Sequence, residues 1–415
     1  MARAGLSAVV CGLVVAMAGG AAAAEKTKPY PHYWMSVATS NQSMPGMSGE
    51  MSGFASLFGG KGAFGPRRDL LLQLESPQKP SGPPQAAHFV PPGQNMGESL
   101  PLKTPQAEKR EYEPSERERP EKFEKPRARM LIYWGCGETI GKGQPRVIDT
   151  AKMNPAEFGK VFAGRTPTRQ SPPAPRTGWT YGEWPNSDDR TDVPRDGSLV
   201  GNHSLKGNYL PDIKFALDNK RDFMAPVEFS SIQATPAAAT KVVWKQIPTA
   251  IGYFATAMGH NQETGESIFW SSSEVPELGF ALQDYLTPSD VSRFIKEKVV
   301  MDAARTTCTV PPIFKDAQGA MLQFIGYGEE LNLAHPPKPK DPKKSWQPEW
   351  SVKVRLKSTG MAPLMALDDE GERAGRAKTK MNRTSGGEGE SSERKSDDTE
   401  QDKGIGSRIK GLFGF

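Results

Sequence analysis

Apolar residues along the chain fall mostly into short runs with a period of two, punctuated by glycine, proline, asparagine and aspartate. That alternation sends successive side chains to opposite faces of an extended segment, so it predicts strands joined by turns. Strands are expected in 29–40 (PYPHYWMSVATS) and 69–76 (DLLLQLES), with a short edge strand at 88–90. From 130 to 226 the pieces MLIYW, RVIDTA, WTYGEW, SLVGNHSL and DIKFAL predict further short strands, with a helix only at 154–162. Beyond 227 the pattern strengthens: KVVWKQIP, IGYFATAM and ESIFWSS read as three strands, the last two a hairpin across the polar loop GHNQETG. In IGYFATAM, Ile251, Tyr253, Ala255 and Ala257 share one face. AMLQFIGYG and VKVRL return to strand character. In the latter Val352, Val354 and Leu356 face one way and Lys353 and Arg355 the other, which predicts a sheet with one wet face. One segment breaks the period. In TPSDVSRFIKEKVV, Thr287 suits an N-cap, Pro288 the first helical position and Asp290 the third, so a helix is expected.

Other stretches cannot bury enough to order themselves. Residues 42–68 are rich in glycine and methionine, and 103–129 mix basic and acidic residues with repeated proline. Both are expected to be disordered, as is the charged tail 366–403. The first 24 residues carry one arginine, an apolar core and a small-residue run ending at Ala24, the layout of a secretory signal peptide cleaved before Glu25. Cys11 lacks a lipobox, so soluble export to a periplasmic or extracellular compartment is expected.

Composition limits the partners. Within 415 residues there are 53 basic and 48 acidic side chains, closely interleaved, so no one-signed patch for nucleic acid is expected. With 37 prolines, 42 glycines and only 36% hydrophobic residues, much of the chain is not core. After the signal, Cys136 and Cys308 are the candidate disulfide in an oxidising compartment; two separate buried thiols are the alternative.

The run MLIYWGCGETIGKGQP, at 130–145, holds the densest motif. A dinucleotide turn needs GxGxxG followed by a helix, but Ile140 stands where the third glycine belongs, and Pro145 and β-branched residues follow. Lys142 is followed by glycine, so no GK[ST] of a P-loop occurs, and the stretch reads as a glycine-rich connection between two strands. No histidine motif accompanies Cys136, and WSSSE lacks the glycines of a nucleophile elbow. No cofactor is expected. Met44, Met47 and Met51 are soft ligands that could hold Cu(I), against the plainer reading of a methionine-bearing loop. At the C-terminus, 404–415 place Ile405, Ile409, Leu412 and Phe413 at helical spacing, a segment able to touch a membrane surface or a partner groove.

Over 227–274 the sequence resembles a fibronectin type III or immunoglobulin-like module: a strand carrying Trp244 runs through KQIPTAIG to Tyr253. The resemblance implies that both rings pack inside a two-sheet sandwich.

The expected fold is therefore mainly β: two antiparallel sandwich-like domains, 25–225 and 226–365, with one short helix and long disordered segments. The expected function is a non-catalytic binding or scaffolding module of the envelope, with a protein or envelope component as partner. An envelope enzyme acting on glycan and a periplasmic copper-binding protein are the alternatives.

Overall fold

The computed structural model describes residues 28–42, 65–105, 129–153, 164–341 and 344–364. In chain order the strands are β1 (His32–Gln42), β2 (Gly65–Ser76), β3 (Ala86–Phe89), β4 (Ser99–Leu102), β5 (Arg129–Trp134), β6 (Arg146–Asp149), β7 (Thr180–Trp184), β8 (Gly201–Gly207) and β9 (Ile213–Leu217). They continue as β10 (Phe229–Ala234), β11 (Thr240–Trp244), β12 (Ala250–Asn261), β13 (Glu266–Ser271), β14 (Thr307–Val310), β15 (Gln318–His335) and β16 (Trp350–Pro363). The α-helix among the described residues, α1 (Pro288–Lys296), lies between β13 and β14. The chain is mainly β.

Alternation in the sequence becomes burial in the sheet. Tyr33, Met35 and Val37 of β1 and Leu70, Leu72 and Leu74 of β2 are buried, as are Val352, Val354 and Leu356 of β16. Nine strands form one sheet in the order β6-β5-β13-β12-β15-β16-β1-β2-β7. The β1–β16 and β5–β13 junctions are parallel, and the others are antiparallel.

Two smaller sheets, β4-β3-β8-β9 and β10-β11-β14, cover one face of the large one. Tyr33 of β1 meets His88 of β3 and Phe215 of β9 there, while Tyr253 of β12 and Phe324 of β15 meet Trp244 of β11. On the opposite face Phe254, Ile325 and Tyr327 pack against Val291 and Phe294 of α1. The IGYFATAM strand is therefore buried on both sides, with Phe254 and Tyr253 both fully covered.

Several expectations change. The boundary at 225/226 does not separate two bodies, because β1, β2, β5, β6 and β7 share one sheet with β12, β13, β15 and β16. The segment at that point is itself packed on the large sheet, its Met224, Ala225 and Val227 carbonyls accepting from Thr39, Ser358 and Asn41, and the pairing that unites the halves is set by contacts far apart in sequence. β1 extends to Gln42 and β2 begins at Gly65, narrowing the interval expected to be disordered at 42–68. The interval 103–129 also shrinks: Lys103 pairs its backbone with Glu183, and Arg129 opens β5. The strand near 88–90 is no edge, since β3 lies between β4 and β8. Short β4, β10 and β14 escaped the pattern; each is an edge strand of four to six residues, and β4 carries Pro101.

Candidate functional site

Cys136 and Cys308 are joined, their sulfurs 2.09 Å apart, which ties the turn after β5 to β14 of a small sheet. The glycine-rich stretch is the connection from β5 to antiparallel β6. Gly135, at φ +94°, donates its amide to the Ser271 carbonyl and accepts from the Trp270 indole at 2.9 Å. The Gly137 amide donates to the Thr309 carbonyl, and the Gln144 side chain clasps both backbone groups of Trp134 at 2.9 Å. These amides face neighbouring strands, so they are not a phosphate cradle. Met44, Met47 and Met51, the stretch 154–162, the segment 1–24, the tail 366–403 and Ile405, Ile409, Leu412 and Phe413 lie outside the described residues. Trp244 and Tyr253 are buried and meet edge to face, 5.8 Å between ring centres.

Two histidines unmarked by any sequence motif are joined in the core. Tyr33 Oη lies 2.8 Å from His88 Nδ1, His88 Nε2 lies 3.0 Å from His203 Nδ1, and His203 Nε2 lies 2.6 Å from the Leu199 carbonyl. A carbonyl can only accept, so His203 carries its proton on Nε2 and accepts at Nδ1. His88 then donates from Nε2 and accepts the Tyr33 hydroxyl at Nδ1. Every atom is satisfied with both rings neutral. Burial holds both imidazoles below the usual histidine range, well below for His88. The chain is enclosed and fastens β3 and β8 to β1, a structural part.

A different arrangement faces solvent. The outward positions of β16 are Lys353, Arg355 and Lys357, and the parallel register sets Trp34 of β1 beside Lys353 and Ser36 beside Arg355. Trp34 stands between Lys353 and Arg355, with the cations 4.8 and 5.1 Å from its ring centre. Tyr285, from the segment that enters α1, stands between Arg355 and Lys357, each 4.3 Å away. Cation and aromatic thus alternate along the strand, an arrangement that stabilises each charge by the ring quadrupole. Lys353 is anchored to Glu330 at 2.7 Å and Lys357 to Asp284 at 2.8 Å. The expected wet face of β16 is therefore covered at Arg355, which is 8% exposed, because Trp34 and the Tyr285 segment close over it.

Arg355 donates from Nε to Ser36 Oγ at 2.8 Å. Among the described residues its two Nη groups have no hydrogen-bond partner. Desolvation pulls its affinity for the proton down, partly countered by Tyr285, Asp284 and Glu330, yet a guanidinium stays charged. The neighbouring Asp284 carboxyl is pushed up by desolvation, but Lys357, hydrogen bonds and Arg355 outweigh this and hold it below the usual range.

Arg355, Ser36, Asp284 and Tyr285 form the floor of a groove of about 800 Å³. One wall is β2 at Arg67, Arg68 and Asp69; the other is the segment after β7, which includes Ser187 and Arg190. Asn186 shapes that segment by donating to the Pro101 and Glu183 carbonyls and accepting from the amides of Asp188 and Asp189. This is an Asx-type turn, and its sequence signal is the NSDD run. The charges are mostly engaged: Arg67 with Asp69, Arg68 with the Gly197 carbonyl, and Glu183 with the Tyr181 hydroxyl. Sequence reading singled out Arg355 only as a solvent-facing residue and missed the groove, since the partners that build it come from four separated segments.

No protein-family model matches the chain. No curated protein matches it. Among solved structures it is similar to the Fcho1 Mu homology domain of Danio rerio, solved with bound Eps15 peptide, at 11% identity and a TM-score of 0.22, over 82% of this chain and 98% of that one. At that score neither fold nor function carries over.

Proposed function

We propose that this chain is an exported, non-catalytic binding protein whose groove beside Arg355 is the recognition surface. The observation that carries this reading is the state of Arg355. Its guanidinium is held between two rings, tethered at Nε, and left with two Nη donors at the groove floor. Such a group has already lost its rotamer freedom, so a ligand does not bear that cost on binding. Of the four groove carboxylates, Asp69, Asp284 and Glu183 each serve an internal partner, which leaves Asp192 without a second free carboxylate to share acid–base work. Export is supported by the apolar leader and by the bonded cysteine pair, which suits an oxidising compartment. Two measurements test the proposal. A photo-crosslinking side chain at Ser187, on the groove rim, is expected to capture a partner in the cells that make the protein, whereas one at Ala238, in the turn between β10 and β11, is expected to capture none. Capture from Ala238 alone would move the binding surface elsewhere. The mature protein is expected to begin at Glu25, and an intact leader on the native protein would overturn export.

A further inference from the structure

We infer that the ligand of this groove is an acidic segment of a partner protein, with one side-chain carboxylate seated edge-on against Arg355. The inference rests on the groove being the binding surface. Arg355 Cζ lies 4.3 Å from the Tyr285 ring centre and 5.1 Å from that of Trp34, so the two rings crowd the guanidinium and narrow the directions of approach. Nε is spent on Ser36. The donors left unspent are those of Nη1 and Nη2, which lie on one edge of the planar group. A planar fork of two N–H donors is matched by a planar pair of oxygens, and the best such group is a carboxylate bound bidentately.

The surroundings favour a peptide over an acidic sugar as the carrier. Sugar rings are commonly gripped on open aromatic faces. Here Tyr285 already stacks with Arg355 and Lys357, Trp34 with Lys353 and Arg355, and Trp184 is 1% exposed. The walls offer instead polar and charged side chains of both signs, Arg190 and Asp192 among them. A neighbouring residue of an extended peptide can pair with these through its backbone or side chains. Asp284, close to Arg355, is held by Lys357 at 2.8 Å, which keeps the Nη edge open to an incoming carboxylate.

The test titrates the full chain with a fluorescein-labelled Gly/Ser dodecapeptide carrying glutamates, with its glutamine counterpart, and with an oligogalacturonate of equal charge. The glutamate peptide is expected to bind at least about tenfold more tightly than either of the others, and Arg355→Lys to weaken it about tenfold, because lysine keeps the charge but loses the fork. Equal affinity for the glutamate and glutamine peptides overturns the carboxylate seat without any change to the protein, so a poorly folding variant cannot mask the result. Unchanged binding by a folded Arg355→Lys protein also overturns the seat at Arg355, and tighter binding of oligogalacturonate overturns the peptide assignment. Ser187→Trp, which fills the groove rim, is expected to abolish binding. If the glutamate peptide binds that variant undiminished, the groove itself is not the binding surface, an outcome distinct from failure of the Arg355 seat alone.

Discussion

Asp290 joins two functions in one side chain. At the third position of α1 it complements the positive end of the helix, and Thr287 caps the same turn by accepting from its amide at 3.1 Å. The carboxylate is also 2% exposed, and it accepts from the Thr168 amide and hydroxyl, the Thr287 hydroxyl and Arg293. It thereby bolts the proline-rich segment around Thr168 to the helix. Burial pushes this carboxyl up, but Arg293, Thr287 and Thr168 outweigh it and hold it below the usual range. Because the folded value is depressed, the stabilisation is present above the unfolded value of about 3.9 and is lost as pH falls through the folded one. Thr287→Ala is expected to cost about 1 kcal/mol, the ordinary value of a lost cap. Asp290→Ala should cost about 3 kcal/mol, since it also removes the charge-assisted hydrogen bonds to the Thr168 amide and hydroxyl and to Arg293. Urea unfolding at pH 7 separates the two. The cap was legible in TPSD because capping is local chemistry; the Thr168 contact was not, because its partner lies 122 positions away.

At the scale of elements, the Tyr33–His88–His203 chain fastens the β4-β3-β8-β9 sheet to β1. A proton added to His203 goes on Nδ1 and faces the His88 Nε2–H, whereas one added to His88 goes on Nδ1 and faces the Tyr33 hydroxyl, which must then turn from donor to acceptor. Both imidazoles are held below the ordinary value of about 6.5, so their contribution to stability is complete above that pH and is lost as pH falls below it. Each neutral histidine should add up to about 1.4 kcal/mol per pH unit to the slope below pH 6.5. Asp222 lies close enough to His203 to temper the effect by favouring the charged form. Unfolding midpoints measured between pH 7.5 and 5 should fall more steeply for the native chain than for His203→Gln. Parallel slopes would show that the chain does not titrate as a unit. None of this was readable from the sequence, where two isolated histidines sit on short strands of no special pattern. They meet because His88 pairs opposite Leu205, which puts His203 diagonally across on the same face.

Across the whole molecule, β1 and β16 lie side by side in parallel, with Ser36 and Arg355 bonded across 319 positions. Neither half of the chain completes the large sheet alone. Fragments 28–225 and 226–364, expressed separately, should show no cooperative thermal transition by circular dichroism; a sharp transition in either would restore the two-domain division. The Cys136–Cys308 bond closes a loop across 172 positions, and on the chain-entropy view its loss should destabilise by a few kcal/mol. Cys308→Ser, compared with the oxidised parent by urea unfolding, measures that contribution.

Local physics accounts for what could be read from the residues alone. Period-two alternation identified most strands, a Thr-Pro-Ser-Asp start identified α1, and a failed glycine spacing identified a strand-to-strand turn at 135–145. Those features depend on neighbours within a few positions. Which strand pairs with which, why the outer face of β16 is covered at Arg355, and where the groove opens were decided by tertiary structure. Each depends on register between segments that the chain brings together only when the core closes, and alternation along one strand carries no information about its partner.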